Sequence, residues 1–196
     1  MEVELKADEK KKIIVKVAQK IFSKYGLIKT TVDEIAKAAR MGKASLYHYF
    51  KSKEDIFKEV VDNENKFLKE KIREAILNED VPQKKMKIYI LKKMEYLKDL
   101  TNIHSALKDD YLEHYGFIEK IREKNSREEL FTIREILQDG EDKGIFEIND
   151  IELTSFAIAS ALKGLEYPWS INNSVPEIES NINKLLEILF KGIEKK

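Results

Sequence analysis

The chain has 196 residues, 42% of them hydrophobic, with 36 basic and 36 acidic side chains and no cysteine. Without cysteine there are no disulfides, no thiolate catalysis and no cysteine-ligated zinc, and no apolar run approaches the ~20 residues of a membrane span. The zero net charge hides an asymmetry: residues 1–53 hold 13 basic and 6 acidic side chains (+7), and residues 54–196 hold the remaining 23 and 30 (−7). A basic N-terminal quarter on an acidic body is the pattern of a protein that meets a polyanion with one end. The opening MEVELKADEKKK lacks the apolar stretch of a secretory signal, so a cytoplasmic protein without a membrane partner is expected.

In chain order, Ile13, Ile14, Val17, Ala18, Ile21 and Phe22 recur at three- and four-residue steps and predict an amphipathic helix that Gly26 stops. In TTVDEIAKAA, Thr31 is an N-cap with Glu34 three residues on. This capping box opens a second, short helix with Ile35, Ala36 and Ala39 inward. A turn at Arg40-Met41-Gly42 leads into a third helix, from about Lys43 to Phe50. Ser52 and Asp55 form another box and start a long fourth helix through Ile56, Phe57, Val60, Phe67, Leu68 and Ile72.

Beyond Pro82, helices are predicted at about 83–100, 102–114 and 116–140, then a break at DGEDKGIFEIND. Two last helices, at about 150–167 and 176–194, are separated by YPWSINNSVP. No strand pair carries hairpin signals. The fold class is therefore all-α with about nine helices, a small basic domain at 1–53 and a helical body at 54–196.

The second and third helices, about 31–50, form a helix-turn-helix whose second helix can enter a DNA major groove. Leu46 and Phe50, four residues apart, turn toward Ile35 and Ala39; Lys43, Ala44, Tyr47 and His48 face out near the helix N-terminus. The helix dipole and free N–H groups favour a phosphate there. Tyrosine hydroxyls and lysine ammonium groups reach phosphates, and His48 can donate to a base edge or a phosphate.

Over TTVDEIAKAARMGKASLYHYFKSKEDIF the sequence resembles the N-terminal signature of the TetR family of transcriptional repressors, almost position by position. LYHYFKSKEDIF is its most specific segment; the C-terminal part is similar in helix plan alone. The resemblance implies a homodimeric regulator, released from a palindromic double-stranded DNA operator by a small-molecule effector, with no enzymatic activity and no cofactor. It further implies that Thr31 contacts a phosphate, that Lys43, Ala44 and His48 face bases, and that Tyr47, Tyr49 and Lys53 clamp the backbone, with Ser45 on the same face.

Two positions depart from the pattern. Arg40 stands where the family has glycine, at a place that often needs positive φ, and adds a possible phosphate contact. Gly42 stands where a serine or threonine usually caps the third helix, which leaves no hydroxyl for a phosphate.

In the body, the resemblance places a ligand pocket among Phe67, Tyr89, Tyr96, His104, Tyr111, Phe131, Phe156 and Trp169. The last two helices read as a dimer seam. Ala157, Ala161 and Gly164 keep one face small beside Leu165, and Ile182, Leu185 and Leu189 belong to a long apolar stripe. The alternative to a switched repressor is a constitutive DNA-binding or architectural helical protein; a buried cavity in the body separates the two. Asp139, Gly144 and Asp150 mimic a calcium loop, but Lys143 interrupts it. Asp110 and His114, one helical turn apart, with His104 nearby, read as surface or core residues, so no metal is expected. No phosphate loop, nucleophile elbow or HExxH occurs, so there is no residue on which to found an enzyme.

Overall fold

The turn that ends the second helix shows how closely local chemistry governs this chain. Met41 N–H donates to the Ala36 carbonyl at 3.0 Å and Arg40 N–H to that of Lys37 at 3.1 Å, the two bonds of a Schellman end. Arg40 occupies the left-handed position with φ 55°. The same motif closes a later helix, where Ile145 N–H reaches Gly140 O at 2.9 Å, Gly144 N–H reaches Glu141 O at 2.8 Å, and Gly144 takes φ 67°. Glycine adopts this conformation without Cβ strain and arginine does not. Arg40→Gly is therefore expected to raise stability by about 0.5–1 kcal/mol in urea unfolding while removing a cation from the basic face. A loss of stability would show that the turn carries no strain.

The computed structural model describes residues 2–102, 105, 116–172 and 175–194, without the side chains of 2–7, 97–98, 166–172 and 175. Among these residues there are eight helices: α1 (Glu2–Lys29), α2 (Val32–Ala38), α3 (Lys43–Tyr47), α4 (Lys53–Ile76), α5 (Pro82–Asp99), α6 (Gly116–Asp142), α7 (Ile151–Asn172) and α8 (Val175–Ile193). The fold is all-α, and no strand occurs among the described residues. The helix expected at 102–114 lies almost wholly outside them. Gly26 breaks α1 with φ 73° and ψ 169°, a conformation open to glycine alone. The third helix is shorter than its pattern predicts. It ends at Tyr47, and the chain continues through a turn in which Phe50 N–H still reaches Leu46 O at 3.1 Å.

The chain divides into two compact units, Met1–Lys66 with Leu100–Ile118, and Phe67–Asp99 with Glu119–Lys196. The core of the first joins Ile14, Ala18 and Phe22 of α1 to Ile35, Leu46, Phe50, Ile56 and Phe57, all buried. Phe22 meets Phe57 edge to face at 5.1 Å, the favoured geometry for an aromatic pair. The same unit holds a buried polar knot. Asn102 Nδ2 donates to Glu64 at 2.6 Å and Ser23 at 2.9 Å, and Gln19 Nε2 donates to Glu64 at 2.9 Å. These bonds supply the partners that a carboxylate only 3% exposed requires.

In the second unit α5 packs on both α7 and α8. Met86, Ile90 and Met94 of α5 are buried there, as are Ile133, Ile136 and Leu137 of α6 and Ile178, Ile182 and Leu186 of α8. The Lys93–Glu129 ion pair is buried between α5 and α6. The calcium-like segment is a helix end. Asp139 is held by Lys85 at 2.8 Å and Lys143 at 2.9 Å, and Asp150 caps α7 by accepting from Leu153 N–H at 2.9 Å. Partial burial alone would raise the Asp139 carboxyl, but the Lys85 and Lys143 ammonium groups together outweigh it and hold the group below the usual range. No cluster of metal-ligating side chains occurs among the described residues. His104, Asp110 and His114 lie outside them.

Candidate nucleic-acid interface

The capping box of α2 forms as its sequence predicts, and it commits the groups of Thr31. Thr31 N–H and its hydroxyl each donate to Glu34 Oε2 at 2.8 Å, and the hydroxyl accepts from Glu34 N–H at 3.3 Å. These bonds from Thr31 hold the Glu34 carboxyl below the ordinary range. A phosphate at Thr31 must therefore displace the Glu34 carboxylate from both donors.

Leu46 of α3 is fully buried, and Phe50 in the turn after it is 5% exposed. Lys43, Ala44, Ser45, Tyr47 and His48 are all exposed, and Tyr49 and Lys53 are half-buried. One apolar pair thus fixes the helix to its unit and leaves five consecutive-face side chains presented to solvent. Arg40 is exposed in the turn before them. Gly42 is the N-cap of α3 with no side-chain bond, as its sequence requires.

Two cations of this face are already engaged. Lys53 Nζ donates to the Ile28 carbonyl at 3.4 Å. Lys43 Nζ pairs with Asp33 Oδ2 of α2 at 3.0 Å, across the turn. That hydrogen bond and the Asp33 charge raise the Lys43 pKa. Sequence reasoning missed the pair because its members stand ten residues apart on different helices; the clue was an acidic residue in the first turn of α2 facing a lysine in the first turn of α3.

Among the described residues, those assigned to a ligand pocket differ in exposure. Tyr89 is buried at 4% exposure, whereas Phe67 is 43% exposed and meets a half-buried Tyr96 edge to face at 5.9 Å. Phe131 and Phe156 are 56% and 61% exposed, because Ile133, Ile136 and Leu137 take the buried side of α6 and Ser155, Ile158 and Leu162 that of α7. Both rings lie at the surface of the single chain rather than in its core. His104, Tyr111 and the Trp169 side chain lie outside the described set.

The seam residues divide as well. Ala157, Ala161 and Gly164 are exposed, and Leu165, Leu185 and Leu189 are half-buried. Ile182 is 0% exposed and faces the chain's own core. Ile188 is 73% exposed, and Leu153 and Phe156 are exposed on one face of α7 with the small residues. The signal was available in the width of the α8 apolar arc, about 200° at 100° per residue, more than one packing contact covers.

The profile described as "Bacterial regulatory proteins, tetR family" matches residues 14–60, and that described as "QacR-like protein, C-terminal region" matches residues 69–195. The HTH-type transcriptional regulator QacR of Staphylococcus aureus is 28% identical over 187 residues, covering 93% of this chain and 97% of QacR. The HTH-type transcriptional regulator YhgD of Bacillus subtilis is 27% identical over 190 residues, covering 94% and 97%. Among solved structures, a transcriptional regulator from Cytophaga hutchinsonii superposes with a TM-score of 0.76 at 26% identity, covering 94% of this chain and 98% of that one.

Proposed function

This chain belongs to the TetR family of bacterial regulators, and on that premise we propose that it is a homodimeric repressor, released from a palindromic operator by a small molecule. The observation that carries the reading is the α3 face, where Lys43, Ala44, Ser45, Tyr47 and His48 are exposed over a buried Leu46. A helix so mounted offers base-reading side chains at its centre, while Arg40, Tyr49 and Lys53 flank it for the phosphates. The charge balance of +7 over residues 1–53 supplies the electrostatic attraction. One recognition helix covers one half-site, so a palindrome requires two copies. The exposed apolar faces of α7 and α8 are the surface by which they pair.

Release requires an effector that binds the DNA-incompetent conformation better than the competent one, since equal affinity shifts nothing. α4 runs unbroken from Lys53 to Ile76 and has residues in both compact units; in this proposal it carries the change. The −7 balance over residues 54–196 favours a cationic or neutral effector over an anionic one. In this scheme the protein works where its operator is, in the cytoplasm.

The test of the DNA-binding face is Lys53→Ala, measured by fluorescence anisotropy across a salt series. Binding should weaken on every duplex alike, and the slope of log affinity against log salt should flatten by about one. An unchanged slope would remove Lys53 from the phosphate contacts.

A further inference from the structure

The recognition helix carries less free charge than its sequence shows. From Lys43 to Tyr49, Lys43 is the one formal charge, and in the structure its ammonium lies 3.0 Å from the Asp33 carboxylate. Both groups are exposed, at 51% and 67% of their side-chain surface. The pair is therefore weak and easily exchanged for another acceptor. Asp33 is fixed in the first turn of α2 and Lys43 in the first turn of α3, so the two are brought together by the rigid part of the helix-turn-helix rather than by a loop.

Resting on the DNA-binding reading, we propose that Asp33 is a specificity-determining residue: it neutralises Lys43 against DNA of any sequence and yields it to the base acceptor of the correct site. The logic follows from where non-specific affinity arises. That affinity comes from cations that neutralise phosphates and release counterions. A lysine paired with a carboxylate adds no net charge to the face and releases no counterion. A base edge in the major groove offers what a distant phosphate does not, a directed acceptor such as guanine O6 or N7 within reach of the docked helix. Lys43 exchanges Asp33 for such an acceptor in the correct complex and stays on Asp33 elsewhere. Asp33 thus lowers binding to the wrong sequences more than to the right one, which is how a repulsive element creates specificity.

The experiment compares the unaltered chain, Asp33→Asn, Lys43→Gln and the double variant. Each is titrated across a salt series with the duplex recovered by selection from a random pool and with a scrambled duplex of equal length. Asp33→Asn should tighten binding to the scrambled duplex about eightfold at 0.1 M salt and steepen its salt slope by about 0.9. The selected duplex should keep its slope, so discrimination falls several-fold. In the Lys43→Gln background, Asp33→Asn should leave the scrambled-duplex slope where it was, because no cation remains to be freed. An unchanged slope in Asp33→Asn, or the same steepening without Lys43, overturns the proposal while the DNA-binding reading stands. Failure of the unaltered chain to bind any duplex overturns both. Since both side chains are exposed, circular dichroism should show all four proteins equally folded.

Discussion

Ile188→Glu is expected to yield a folded monomer that no longer holds its operator. Ile188 is 73% exposed in the single chain, so a glutamate there disturbs no packing inside the monomer, and α8 tolerates it because glutamate is a good helix former. In the proposed dimer the same position belongs to an apolar face with Leu185 and Leu189. A carboxylate buried there without a partner costs several kcal/mol, enough to dissociate a two-fold interface in which every change occurs twice. Binding through one half-site then forfeits the second helix's contacts. Sedimentation equilibrium should show a monomer, with the helical signal retained. The contrasting variant is Ile182→Glu, which places the charge in the core at 0% exposure and should unfold the second unit instead. A dimer that persists in Ile188→Glu would move the seam elsewhere.

Gly140→Ala should be the most damaging single-methyl change in the second unit. A Cβ at Gly140 would stand 2.0 Å from Phe146 Cδ2 and 2.4 Å from its Cε2, well inside contact distance. The ring cannot retreat freely. It is 3% exposed, stacked on Phe190 at 5.8 Å with an interplanar angle of 16°, and followed by Glu147, whose N–H is tied to Ile193 O at 2.8 Å. Overpacking of this kind costs about 1–3 kcal/mol or more, and urea unfolding should register the upper part of that range. Phe146→Leu, which trims the ring, should be less harmful in the Gly140→Ala background than alone, a coupling that double-mutant analysis measures. Additive losses would mean that the clash is relieved by other means.

What the sequence disclosed was mostly local. The Thr31–Glu34 box, Gly26 as a break and the alternation of Leu46 with outward residues depend on neighbours within one turn, and each appears in the structure. The length of α3 was harder to read, because Leu46 and Phe50 keep helical spacing although the helix ends at Tyr47 and a turn carries the second of them. The Asp33–Lys43 pair depends on how two helices meet across a turn, which periodicity within one helix does not report. The assignment of Phe156 to a pocket and Ile182 to a seam rests on the same kind of signal: an apolar residue on a helix reads alike whether it faces its own core, a ligand or a second copy. Exposure in the folded chain separates these cases, and it moves Phe156 and Ile188 to the outer face and Ile182 inside.

In the proposed dimer the exposed face of α3, doubled by a two-fold axis, reads duplex DNA. Selection of bound duplexes from a random pool by the unaltered chain tests it most directly. The pool should be enriched in an inverted repeat whose half-site centres lie about one helical turn apart, ~34–36 Å, or somewhat more, with affinity falling steeply as salt rises. A pool that shows no enrichment, or that converges on a single unrepeated half-site, would contradict it.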